Sequence, residues 1–559
     1  MAQFTTPFRQ VVVPLLASGA ALLVGCTASI ASPGNETGAS GGSPSSASAA
    51  GAAAVGGASV TPGAVAASAV VPSGMRRLTA TQYRATLFDL FGADVTAPQE
   101  LDPDDSNARF VITGSYRVTT GPKGVAKYEQ AALDVAKQVF ASPALKQKTL
   151  GCDPAQVAAC AATFVQSFGR RAWRRPLTNA ETQRYTKLAT DAAAAGAAPD
   201  ESLSAVLQAL LQSPHFLYMP EVGESVAGIR RLTSYETATR LAFLLTEAPP
   251  DAELAAAADQ GELSSAAGVA RQVSRLMALP SSHGSLTGFW GQLFGLRELD
   301  DITKSTEAYP QATPALLQAM HQEFDALIEQ NVFVERGAAL DIFDAESPVS
   351  DPGLALLYGH VPERIGVLTT GAWLSIQAKP DRTSPTLRGV WVRERLLCQS
   401  VPPPPPDVNN ALLDPPKPGD AGERAKTTTR QKLEMHRANP TCASCHGLFD
   451  PIGVAFEHFD GIGAYRTSEN GEKIDTSGSL DGKAFADARE LGLLLKADPR
   501  VPDCLVQNLL EFVGGHDNLV GAPELVQAMA ASFRERPDYV ELVQRMLNSD
   551  WFVFPAAPL

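Results

Sequence analysis

Positive charge is what this chain has too little of: 46 Lys and Arg stand against 60 Asp and Glu, a formal charge of −14 over 559 residues. A field of that sign repels phosphate backbones, and no basic stripe reverses it locally, so nucleic acid is not an expected partner. H-E-x-x-H, a P-loop and a convincing nucleophile elbow are missing too, which removes the signatures of zinc hydrolysis, nucleotide chemistry and acyl transfer. A second C-x-x-C is also absent. No apolar run is long enough for a membrane helix. The longest, Val11 to Gly25, spans about 22 Å as a helix against roughly 30 Å of hydrocarbon.

That short run lies behind Arg9 and ends at Cys26, the pattern of an export signal over 1–25. Leu23-Val24-Gly25-Cys26 resembles the bacterial lipobox, which implies Cys26 as the acylated first residue of the mature chain; an ordinary signal peptide that contains a cysteine is the alternative. Thr27 follows rather than an acidic residue, so the expected location is the cell envelope, anchored to the outer membrane on its periplasmic or surface side. Over 26–74 the composition falls to Ala, Gly, Ser, Pro and Val. Such a segment buries too little surface to offset chain entropy and reads as a disordered tether.

Export places the remaining cysteines where thiols pair. Of seven, Cys26 goes to lipid and Cys442 and Cys445 to a motif, which leaves four. Cys152 and Cys160 are close enough to staple the start of a helix, and Cys398 then pairs with Cys504 by elimination; the alternative keeps some of them as buried thiols.

What is plentiful is helix signal. "RRLTATQ", "RRPLTNAE" and "RRLTSYE" place Thr79, Thr178 and Thr233 three residues before Gln82, Glu181 and Glu236, the spacing of a capping box. After the first, Tyr83, Leu87, Leu90 and Phe91 fall on one helical face, and Gly92 ends it. Ala/Leu-rich patterns predict further helices over 155–173, 180–195, 202–211, 235–246, 266–279 and 314–332. Strand signals are few, the clearest being a hairpin at Asn470-Gly471. Prolines 402–406 read as a stiff spacer. The acidic run "LDPDDSN" at Leu101 lacks the Gly and distal Glu of a calcium loop and reads as a solvated loop. His215, His283, His321 and His360 are isolated and read as structural.

"NPTCASCH" carries the chemistry. A zinc site needs four ligands, commonly two pairs, and here only Cys442, Cys445 and His446 cluster. A thiol–disulfide oxidoreductase sets C-x-x-C at a helix start within a βαβ unit, which this α-rich region does not supply. Covalent haem fits each atom: two thiols three residues apart reach one porphyrin edge, and the adjacent His446 serves as proximal iron ligand. Zinc and a redox dithiol stay as the weaker readings. For the sixth ligand the chain offers Met435, His436, His458, Met529 and Met546. His436 ends a predicted helix stopped by Asn439-Pro440, and that turn folds it back toward His446. Met529 and Met546, on amphipathic stretches, read as core, although His/Met ligation would give the higher potential.

Around this motif "RRLTATQYRATLFDLFG", "FGRRAWRRPLTNAE", "LLQSPHFLY", "RTSPTLRGVWVRERLLCQSVPPPPPDV" and "HRANPTCASCHGLFDPIGVAFEHFDGIGAYR" follow one another, and from Met75 onward the chain resembles the planctomycete-type cytochrome c family. The resemblance implies one covalent haem c in a cytochrome module behind helical modules whose role is undefined. It also implies a His ligand at the position of His436, whereas His458 falls where the family has Asn and reads as a surface residue. The expected fold is mainly α: a multidomain helical protein with modules over 75–147, 148–222 and 223–360, a small C-terminal c-type cytochrome module over 361–482, and a closing helical module over 483–559. The leading expectation is an electron-transfer lipoprotein with a redox partner protein. A haem-dependent oxidoreductase with a small-molecule substrate pocket among the helical modules, or a non-catalytic scaffold, are the alternatives.

Overall fold

A computed structural model describes residues 75–105, 108–118, 120–226, 229–348, 351–359, 361–402, 427–515 and 523–553. The signal segment, Cys26, the 26–74 tether, His360 and Pro403 to Pro406 lie outside them. The fold is mainly α, and among the described residues the strands form only two-stranded antiparallel ribbons. No helix among those residues is long and apolar enough to cross a membrane.

All three capping boxes form. Thr79, Thr178 and Thr233 accept from the backbone N–H three residues on, and Gln82, Glu181 and Glu236 return to the cap N–H. The first helix, Ala80–Phe91, buries Tyr83, Leu87, Leu90 and Phe91 and ends at Gly92 with φ of 78°. It packs with Pro122–Ala141, Val157–Trp173 and Pro199–Leu211 around one core that holds Val135, Phe164, Phe168 and Leu207. The boundary expected at 147/148 falls inside this core. The Cys152–Cys160 disulfide staples the start of the Val157–Trp173 helix, as its spacing suggests.

A second core takes in Phe110 and Ile112, then runs from Ala238 to Val553, and is built on Trp290, Phe324, Trp373, Trp391, Phe456, Leu510 and Tyr539. The boundaries expected at 360/361 and 482/483 lie within it. The wall between the cores is the Ser234–Thr246 helix, buried on every face: Phe243 belongs to the first core, Leu241, Leu244 and Leu245 to the second. With Phe243 in one core and Leu241, Leu244 and Leu245 in the other, this one helix packs the two against each other. Arg240 on that helix donates to the carbonyls of Phe552 and Gly514 and ties those two segments to it. The Cys398–Cys504 disulfide joins the segment before the thiol motif to the Arg500–Gly514 helix.

One expectation is corrected here. The acidic run at Leu101 is no mere solvated loop: Asp102 and Asp104 ion-pair with Arg77, whose side chain is buried, and Asp104 also accepts from the N–H of Ala80. A buried guanidinium needs paired charge, and the loop supplies it.

Candidate functional site

Two short helices make the site. Thr429–Arg437 begins at another capping box, Thr428 with Gln431, and stops where Pro440 cannot continue it. After a turn of two residues the motif helix, Pro440–Gly453, starts with Asn439 as its cap, accepting from the N–H of Thr441 at 3.0 Å, and with proline in its first turn. The turn folds the first helix against the second, as the Asn-Pro pair suggests. The rings of His436 and His446 meet edge to face, centroids 4.6 Å apart.

Cys442 and Cys445 are free thiols, half-buried, one turn apart on the motif helix. His446 follows directly. Its Nδ1 lies 3.0 Å from Oδ2 of Asp450, one turn further on, which leaves Nε2 as the atom available to a ligand. Asp450 is fully buried, and its Oδ1 accepts from Thr386 Oγ1 at 3.0 Å. Phe449 packs on the His446 ring at 4.9 Å. His436 is buried, and its Nε2 has no hydrogen-bond partner. Burial, then the neighbouring His446, push the His436 imidazole below its ordinary pKa, toward the neutral form that coordinates metals. Met435 and Leu448 leave exposed apolar surface on the same two helices. No three His, Cys, Asp or Glu side chains among the described residues converge in a ready-made metal cluster.

The motif helix is held from behind by Pro385–Trp391. The two approach so closely that a Cβ on Gly389 would strike the carbonyl of Phe449, and one on Gly453 that of Pro385. Arg393 Nε donates to the carbonyl of Leu448 at 2.9 Å. Arg388, fully buried, donates to the carbonyls of Phe456, Phe459 and Asp460 at 2.8, 3.1 and 2.9 Å. "RTSPTLRG" is thus the mould in which "DPIGVAFEHFD" sets.

The remaining candidates scatter. Met435 is half exposed, Met546 is buried in the second core and Met529 packs at its edge. His458 differs from the surface residue expected: only 14 % of its side chain is exposed, and its Nδ1 meets Glu363 at 2.7 Å. An imidazole with a carboxylate partner can be covered without an unsatisfied polar atom. The Asn470-Gly471 hairpin forms, both residues at positive φ. The motif does begin a helix, one half of the dithiol-oxidoreductase pattern; the βαβ half is not found among the described residues. Asp450 and Thr386 were not anticipated. His and Asp four apart on a helix was the available signal for the first; Thr386 reaches the site only through tertiary packing.

Four family models match the chain in succession, each described as a protein of unknown function: PSD3 (DUF1587) over 76–141, PSD5 (DUF1595) over 160–221, PSD4 (DUF1592) over 232–360 and PSCyt3 (DUF1588) over 364–469. The last span contains Cys442, Cys445, His436, His446 and Asp450. These PSCyt and PSD domains are those of the planctomycete-type proteins that the sequence resembles, and they are compatible with a cytochrome-like protein. No curated protein and no solved structure matches.

Proposed function

We propose that this chain is an exported, lipid-anchored carrier of one covalent haem c that passes electrons within the cell envelope. The observation that carries the reading is the donor set on two packed helices: free thiols at Cys442 and Cys445 one turn apart, His446 beside them with Nε2 uncommitted, and the orphaned, buried Nε2 of His436 opposite. An unsatisfied buried nitrogen costs stability unless something binds it. The soft thiols and the imidazoles suit haem c: Cys442 and Cys445 would hold its edge and His446 its iron, and the bound group would supply a one-electron centre.

His436 is the proposed sixth ligand. Its ring lies 4.6 Å from that of His446, edge to face, so the two would hold the group between them only with their helices moved apart. Burial favours the neutral form of His436, and Met435 and Leu448 add exposed apolar surface on the same two helices. The anchor is proposed at Cys26, and a Cys26→Ser variant that stays on membranes would contradict it.

A cavity of about 230 Å³ between Arg109, Arg297 and Arg395, lined also by Leu387 and Trp391 of the helix behind the motif, favours the second reading, an oxidoreductase. Carbon monoxide separates the two. A low-spin spectrum unchanged by the gas supports the carrier; a spectrum shifted by it supports the oxidoreductase.

A further inference from the structure

Asp450 stands out because nothing in covalent attachment calls for it. Its side chain is 0 % exposed, that of His446 17 %, and among the described residues no Lys or Arg pairs with it. A carboxylate so placed costs several kcal/mol unless strong hydrogen bonds compensate. Its bonds are two: Thr386 Oγ1 donates to Oδ1 at 3.0 Å, and His446 Nδ1 meets Oδ2 at 3.0 Å. The first comes from the helix that cradles the motif and fixes the direction in which the second oxygen points. An Asp that served only to solvate would sit on the outer face; this one, in the last turn of the motif helix, is fully buried and points inward at the residue one turn before it.

We infer that Asp450 is a positioning residue for His446: it holds the imidazole as its Nδ1–H tautomer, aims Nε2 at the haem iron, and makes the ring a stronger electron donor, so that the oxidised form is favoured and the reduction potential falls. The inference rests on the haem reading above. A carboxylate behind a metal-binding histidine fixes its tautomer and raises its basicity by drawing the Nδ1 proton toward itself, which leaves more electron density on the ring and its Nε2. Thr386 completes the relay by locking the carboxylate. The chain thereby tunes the site from a helix that carries none of its ligands.

The test compares the exported full-length protein with Asp450→Asn, which keeps the shape and the Thr386 bond but loses the charge, and with Glu434→Gln, which neutralises an exposed carboxylate on the neighbouring helix. With haem content equalised by the pyridine haemochrome, Asp450→Asn is expected to shift the reduction equilibrium at least tenfold toward the reduced form, about 59 mV for one electron, and Glu434→Gln several-fold less. Equal potentials in wild type and Asp450→Asn, or equal shifts in the two variants, overturn the inference and leave the haem reading standing. A wild type without covalent haem removes both. A readout that needs no haem uses ¹⁵N-histidine spectra of the full-length Cys442→Ala, Cys445→Ala protein, with His446 assigned through His446→Gln. They should show the Nδ1–H tautomer, and the Nε2–H tautomer there refutes the positioning role even if Asp450→Asn fails to mature.

Discussion

Arg388 and Glu457 form an ion pair at 3.3 Å inside the protein, with 0 % and 2 % of their side chains exposed. Thr383 and Arg466 also bond the carboxylate, each at 2.8 Å. Arg388 holds three backbone carbonyls as well, so the segment after the motif helix owes its path to one guanidinium.

Arg388→Met should therefore cost about 3–5 kcal/mol, the range for breaking a buried pair; Arg466 still pairs with Glu457, and the loss falls chiefly on the three carbonyls left without a donor. Urea unfolding followed by circular dichroism measures it. A midpoint equal to wild type would show that the carbonyl clamp is dispensable.

Two glycines near the thiols should respond in opposite ways. Gly389→Ala drives a methyl group into the Phe449 carbonyl and should destabilise by about 1–3 kcal/mol through overpacking. Gly447→Ala, on the motif helix with open space around it, should be neutral or stabilising by about 0.5–1 kcal/mol. The reverse order in thermal unfolding would mean that the helix contact is not as close as described.

The Cys398–Cys504 bridge spans 106 residues. The chain-entropy treatment gives it roughly 4–5 kcal/mol. Peptide mapping without reductant should recover the linked pair, and the double alanine variant should unfold at lower denaturant. Free thiols at either position would count against the bridge.

Glu181 supplies a pH dependence. The Arg175 hydrogen bond, with help from the Thr178 cap, lowers its pKa from 4.5 to about 2. Its folded value lies below its unfolded one, so its stabilisation is present above about 4.5 and is lost as pH falls toward about 2. Solvent screening keeps the size modest. Glu181→Gln preserves the capping box, as Gln82 does in the first helix, and should flatten the stability profile across that window. An unchanged acid slope would remove the role of the charge.

Local chemistry was the legible part. Thr at the cap with Gln or Glu three residues on announced the helix starts. Asn470-Gly471 announced its hairpin, and the spacing and elimination of the cysteines announced both bridges. Asn439-Pro440 was enough to bring His436 to His446, because a proline there both stops one helix and starts the next. What the sequence hid depends on contacts far apart in the chain. Arg77 meets Asp102 and Asp104 across the whole Ala80–Phe91 helix, and Thr386 meets Asp450 across two helices. The shared wall at Ser234–Thr246 looks from its pattern like an ordinary amphipathic helix, and only packing shows that both its faces are covered.

Covalent attachment of haem at Cys442 and Cys445 is the claim on which the functional account stands, and denaturing electrophoresis with peroxidase staining for haem tests it most directly. The exported wild-type protein should stain after full denaturation, and the Cys442→Ala, Cys445→Ala variant, present at equal amount by antibody, should not. An unstained wild-type band, or a purified chain that carries stoichiometric zinc instead, would contradict the account.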